Sequence, residues 1–277
     1  MANFAFSNSP AFDERAAKRA AARDAANGTV PPVPVPTAEQ LQAQYDLPTV
    51  SADQAGRMTY EDTIVKTLVS FGILVVGAAI GWFVPILWIP AALIGFVLAL
   101  VNTFKRKPSP ALILLYAGFE GVFVGGISQF FSTRFGDGIV PIAVLGTLAV
   151  VGVTLALFAS GKVRASGRAT KVFLVLLVGY AAFSLVNVIL MLTGVVSGFG
   201  GLRDVTILGI PLGIPLGILV VLMAAYSLVI DFDQVKRGVE TGQPRIYGWT
   251  AAFGIMVTVV WLYLEILRLV SYFMPRN

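Results

Sequence analysis

The stretch Thr67–Phe83 reads TLVSFGILVVGAAIGWF, seventeen residues without one charge. Crossing about 30 Å of hydrocarbon takes roughly 20 predominantly apolar residues in a helix, so this segment predicts a transmembrane helix. Working outward, six further apolar stretches follow at Ile86–Phe104, Pro110–Phe131, Ile139–Ser160, Val172–Thr193, Ile207–Ile230 and Gly248–Phe273. The expectation is an all-α polytopic membrane protein, a bundle of seven transmembrane helices over residues 57–277. A short link at Val84-Pro85 separates the first two spans.

Composition agrees. Of 277 residues 57% are hydrophobic and 13% charged, with a mean hydropathy of +0.82, whereas a soluble domain carries about 25% charged residues. Only residues 1–66 form a long polar stretch. Its Ala-rich first part, Ser9 to Asn27, gives way to Val30-Pro31-Pro32-Val33-Pro34-Val35-Pro36, which favours extended over helical backbone. Residues 1–56 are therefore expected to be a disordered cytoplasmic tail. No cleavable signal peptide is expected, since the first apolar block begins after Lys66. Thr59 followed by Asp62 has the form of a helix-capping box and marks the entry into the first span.

Basic residues alternate between the links. Lys105, Arg106, Lys107, Lys162, Arg164, Arg168, Lys171, Lys236, Arg237 and Arg245 fall on one side, against Arg134, Arg203 and Arg276 on the other. Ten against three places the amino terminus in the cytoplasm and the carboxyl terminus outside. The net charge of +5 thus reads as a topology signal and an attraction to anionic lipid, not to nucleic acid.

The chain has no cysteine and no histidine, which removes disulfides, thiol nucleophiles, imidazole bases and His/Cys metal sites. Phosphate-binding, dinucleotide-binding and hydrolase signatures are absent, and Phe135-Gly136-Asp137-Gly138 only superficially resembles an intramembrane aspartyl protease motif. No enzyme activity and no cofactor are expected. What remains is carboxylate chemistry, because ionisable groups inside spans are costly and mark function by default.

Four carboxylates qualify. Glu120, within Ala117-Gly118-Phe119-Glu120-Gly121, reads either as a proton- or cation-binding group or as a neutral carboxyl hydrogen-bonded to a neighbouring helix; Gly118, Gly121 and Gly125 around it read as a packing face. Asp231 and Asp233 lie at the inner end of the sixth span and point to opposite faces, leaving Asp233 to be solvated or to pair with Lys236 or Arg237. Glu265 and Arg268, three apart, form either an intramembrane ion pair or a site in which Glu265 faces a second carboxylate and shares its proton. The repeat Gly209-Ile210-Pro211-Leu212-Gly213-Ile214-Pro215-Leu216-Gly217 predicts a kinked or broken start to the sixth helix.

The entry Met58-Thr59-Tyr60-Glu61-Asp62, the third-span Gly125-Gly126, Ile230-Asp231-Phe232-Asp233-Gln234 and Leu262-Tyr263-Leu264-Glu265-Ile266 together resemble the Bax inhibitor-1-like, or transmembrane Bax inhibitor motif, family over approximately Thr59 to Phe273. The resemblance implies a pH-sensitive calcium leak through seven helices, in which carboxylates of helices six and seven share a proton. Carried over by position, they are Asp231 and Glu265, with calcium as permeant ion and ligand. The sequence departs from the family pattern in placing Glu at 265 and Asp at 233. Asp231 and Glu265 also sit at different depths, so Glu120 is an alternative partner for either. The expected setting is a bacterial-type plasma membrane. The competing reading is a non-conducting regulator that binds another membrane protein, such as a protease or a cell-death factor.

Overall fold

The computed structural model describes residues 56–196 and 200–274, so the expected tail falls almost entirely outside the described residues. Among them are seven helices long and apolar enough to cross a membrane. They are α1 (Tyr60–Phe83), α2 (Trp88–Phe104), α3 (Pro110–Phe135), α4 (Ile139–Ala159), α5 (Gly167–Leu192), α6 (Gly213–Glu240) and α7 (Gly248–Ser271). Their outward residues are apolar, with Leu68, Val75, Leu145, Leu148 and Val175 well exposed, the inverse of a water-facing surface. The chain is a multi-pass membrane protein.

Each boundary has a local cause. The Thr59 hydroxyl accepts the Asp62 amide at 3.2 Å, so α1 begins at Tyr60 as the capping box predicts, with a polar first turn ahead of the apolar run. Pro85 withholds a backbone donor, and the chain turns at Val84 through a short 3-10 segment, Pro85–Leu87; the first two spans are separate. Ser166 caps α5 through the Ala169 amide at 3.3 Å.

The bundle is built around α7, which packs against α1, α3, α4 and α6. Its fully buried Met256, Leu262 and Leu267 join Leu228 of α6, Ile113 of α3 and Ile139 of α4 in the core. α1 and α3 cross backbone to backbone: a Cβ on Gly121 would collide with the Leu74 carbonyl, and one on Gly125 with that of Ala78. Small residues allow helices to approach closely where hydrocarbon offers no hydrophobic drive, and the glycines of α3 serve this packing. α2 lies outside, against α3.

The start of the sixth helix differs from expectation. Residues 206–211 form a hairpin, β1 (Thr206–Ile207) and β2 (Ile210–Pro211), whose tip residues Leu208 and Gly209 both have positive φ. This left-handed pair matches the right-handed twist of a two-residue hairpin. α6 then starts at Gly213, which puts Pro215 in the first turn, where a backbone N–H has no intrahelical partner to lose. The Pro/Gly repeat therefore makes a hairpin and a helix start; it neither kinks nor breaks the span. At its other end α6 runs to Glu240 instead of stopping near Ile230, because Asp233 pairs with Arg237 and Lys236 with Glu240 at 3.6 Å. Such pairs, spaced by four, continue a helix into water.

Candidate functional site

Because consecutive spans alternate in direction, one face of the bundle carries the start of α1 and the α2–α3, α4–α5 and α6–α7 links. The opposite face carries the α5–α6 link and the end of α7. Three polar layers follow along α7 between them.

The first layer closes the face that holds the start of α1. Lys66 is buried and bonded to Asp62, and its Nζ also donates to the Arg245 carbonyl at 2.7 Å. Arg245 Nε donates to Asp62 Oδ1 at 2.9 Å, and Lys66 Nζ lies 5.7 Å from the centre of the Trp249 ring. A lysine at this depth is tolerated because a carboxylate and a carbonyl satisfy it. The backbone reinforces the contact, since Met58 N donates to Gln243 O at 2.7 Å and Arg245 N to Gly56 O at 2.8 Å. The segment before α1 is thereby stitched to the α6–α7 link.

The second layer lies deeper and contains Asp231. Thr258 of α7 donates to its Oδ2 at 2.7 Å, and Ser227, one turn earlier on α6, lies 3.4 Å from the Thr258 hydroxyl. Gly254 faces Asp231 as well: a Cβ there would sit 3.3 Å from Oδ1. Gly248 abuts the Asp62–Lys66 pair, and six residues at 1.5 Å of rise put the Asp231 layer about 9 Å further in. Asp231 is thus not at the inner end of its span; α6 continues nine residues beyond it. Among the described residues Asp231 makes no ion pair, and its recorded hydrogen bond is to an uncharged hydroxyl. Asp233 points the other way, to Arg237.

The third layer is built on Glu265, which is 3% exposed. Arg203 Nη1 reaches its Oε2 at 3.2 Å, Arg268 Nη1 its Oε1 at 2.7 Å, and the Tyr180 hydroxyl of α5 also donates to Oε1. Arg203 closes the circuit by donating to the Tyr180 oxygen. The pairing of Glu265 with Arg268 is therefore present, as one edge of a larger network. Behind it Tyr272 donates to Asp204 at 3.3 Å. Burial, and then the Asp204 carboxylate, push the Tyr272 hydroxyl up to about 12, so it stays a donor across the physiological range.

Asp231 and Glu265 do not come together. Gly254, Thr258, Trp261, Glu265 and Arg268 follow one another at intervals of three and four and so share one face of α7. Thr258 and Glu265 are seven residues apart, about 10 Å. Trp261 lies between them, its ring 6.3 Å from that of Tyr180. Asp231 and Glu265, expected to share a proton and a calcium ion, stand in separate layers: α6 runs further than its apolar run suggests, and the residues of α7 opposite Asp231 are Gly254 and Thr258. Nor does Glu120 meet either, since its carboxylate turns to α2, where a Cβ on Gly95 would lie 3.1 Å from Oε2. Among the described residues no three carboxylates converge.

As site residues Arg203, Tyr180, Thr258 and Lys66 escape the sequence reading, and Asp62 figures there only in the capping box and entry motif. Arg203 counts there among the basic residues of the outer side, yet it is only 4% exposed; its one signal is that it is the single basic residue of the α5–α6 link. A cavity of about 520 Å³ lies elsewhere. It opens between α1 and α4 over α3 and α7, is lined by residues such as Phe71, Ala78, Val144 and Val260, and holds no carboxylate.

A family model described as Bax inhibitor 1 like matches residues 3–275, nearly the whole chain. The chain belongs to the Bax inhibitor 1 like family. No curated protein matches it. Asp231 and Glu265, carboxylates of helices six and seven, occupy separate layers.

Proposed function

We propose that this protein is a pH-sensitive cation leak of a bacterial-type plasma membrane, with calcium as the cation, and that Asp231 is the group that titrates. One observation supports the reading most directly: a carboxylate lies between α6 and α7, about 13 Å from the end of α6 at ~1.5 Å per residue, with Thr258 as its hydrogen-bond partner and no ion pair among the described residues. A carboxylate at membrane depth is costly unless its charge is compensated, and either a proton or a cation compensates it. Calcium takes hard oxygen ligands and competes with protons for them. Gly254, Ser227 and Thr258 face Asp231 from α7 and α6; the nearest charged layer along α7 is Asp62–Lys66–Arg245.

In this reading the Asp62–Lys66–Arg245 layer and the Glu265–Arg203 layer are the two closures of the path, and Asp231 lies between them. The alternation of basic links supports a cytoplasmic amino terminus, so Asp231 answers to cytoplasmic pH and the Glu265 layer faces outside. Calcium entry into liposomes containing the purified protein, followed from pH 5 to 8, tests the proposal. Flux rises as Asp231 loses its proton, and Asp231→Asn flattens the profile. Absence of flux at every pH would refute it.

A second reading, a non-conducting regulator of another membrane protein, finds support in α2. This helix packs on α3 and leaves most of its circumference outward, a surface that a partner helix can cover. A partner retained by the parent and lost on substituting outward α2 residues, with flux absent, favours it.

A further inference from the structure

Arg203 reaches the Glu265 layer from the α5–α6 link and not from a span. The link is folded inward for it. Asn187 of α5 holds it at two points, accepting the Leu202 amide at 2.6 Å and donating to the Gly200 carbonyl at 3.3 Å. Asp204 accepts the Gly200 amide at 3.1 Å and is held by Tyr272, just past the end of α7. Gly201 adopts φ +59°, and a Cβ there would strike Asn187 and Met191, so the turn can lie flat on α5 only with glycine at this position. Together these contacts aim one guanidinium between α5 and α7.

What it meets there is a set of oxygen ligands. Arg203 meets one carboxylate oxygen of Glu265 and the Tyr180 hydroxyl, and the second carboxylate oxygen accepts from Tyr180 and Arg268. The Arg203 guanidinium also lies over the Tyr180 ring, 5.3 Å from its centre, the placement that an aromatic face favours for a cation. A carboxylate and a phenol oxygen are hard ligands suited to a divalent ion. Arg268 also reaches Glu265, but its side chain is one-third exposed, and it can turn to solvent without crossing the bundle.

We infer that Glu265 and Tyr180 form a cation-binding site whose resident occupant is the chain's own Arg203, a tethered guanidinium that plugs the far half of the path. Opening requires the 200–204 turn to lift, withdrawing Arg203 and exposing the oxygens to a hard divalent cation. This rests on the leak proposed above, but its first test is independent of conduction.

That test uses terbium, a hard cation that stands in for calcium and emits when nearby aromatic rings are excited; Tyr180 and Trp261 lie at the site. In purified full-length protein, Arg203→Gln gains terbium emission at least tenfold above the parent, calcium competes it away, and the double variant Arg203→Gln/Glu265→Gln loses it. Emission from a monodisperse Arg203→Gln protein that stays at the parent level would overturn the inference. A second arm covers loss of folding in that variant. Because the chain has no cysteine, Asn187→Cys/Leu202→Cys can be joined by a short bis-thiol reagent, and the same sample untreated is its control. Bridging abolishes calcium flux if the turn must lift; undiminished flux after bridging overturns the plug while leaving the leak intact. If no protein in the series conducts at any pH, the leak reading falls, and the terbium result decides the cation site alone.

Discussion

Asp231 of α6 accepts a hydrogen bond from Thr258 of α7 at 2.7 Å, while Glu265, two turns further along the same face of α7, is enclosed by Arg203, Arg268 and Tyr180. One face of α7 thus meets an acid of α6 that has no counter-charge among the described residues and carries an acid of its own supplied with two. Their environments differ so strongly that they cannot play equal parts, and each has its own consequence on substitution.

Thr258→Val removes the donor to Asp231 while nearly keeping volume. The charged carboxylate loses more from this than the protonated one, because a hydroxyl donor favours the ionised form. The rise of calcium flux is therefore displaced to higher pH in Thr258→Val than in the parent. The lost bond costs roughly 1 kcal/mol, so elution after heating in detergent remains close to that of the parent.

Glu265→Gln acts on stability first. It leaves the guanidinium of Arg203 buried without its carboxylate, and breaking a buried pair from one side costs about 3–5 kcal/mol. Asp231→Asn removes no ion pair and stays well below that. Thermal unfolding in detergent should rank Glu265→Gln far beneath Asp231→Asn, and equal stabilities would contradict the assigned partners.

Glycines divide by what surrounds them. A methyl at Gly125 meets the Ala78 backbone, which cannot swing aside, whereas a methyl at Gly152 on α4 meets nothing within 4 Å. Gly125→Ala is expected to destabilise by about 1–3 kcal/mol or more; Gly152→Ala is expected to be neutral or, through helix propensity, up to ~1 kcal/mol stabilising. Paired melts of the two variants check this contrast.

Topology can be read by single-cysteine labelling, since the chain supplies no background thiol. Leu208 at the hairpin tip is 98% exposed, and Arg106 lies in the α2–α3 link on the opposite face. With the amino terminus inside, Leu208→Cys reacts with an impermeant maleimide in intact cells, and Arg106→Cys reacts only after permeabilisation. The reverse pattern would invert the proposed orientation.

How far the sequence speaks depends on the range of the interaction. Seven spans, the Thr59 cap and the packing role of the α3 glycines are local, fixed by the hydrocarbon thickness and by side-chain size. The end of α6 is misjudged because apolar length was counted, whereas Asp233–Arg237 and Lys236–Glu240 carry the helix on in polar turns. The hairpin at 206–211 is hidden by Leu208, a non-glycine residue at φ +54°. Least legible is the partner of Glu265: Arg203 lies 62 residues away in sequence, and nothing in the link around it distinguishes a buried guanidinium from one at the lipid headgroups.

The central claim is that Asp231 sets the pH response of a calcium leak. Calcium flux into liposomes between pH 5 and 8, compared for the parent and Asp231→Asn at equal protein loading, tests it most directly. The account predicts flux that rises with pH in the parent and a flat, low profile in the variant. A pH profile unchanged by Asp231→Asn, or no flux from the parent at any pH, would contradict it.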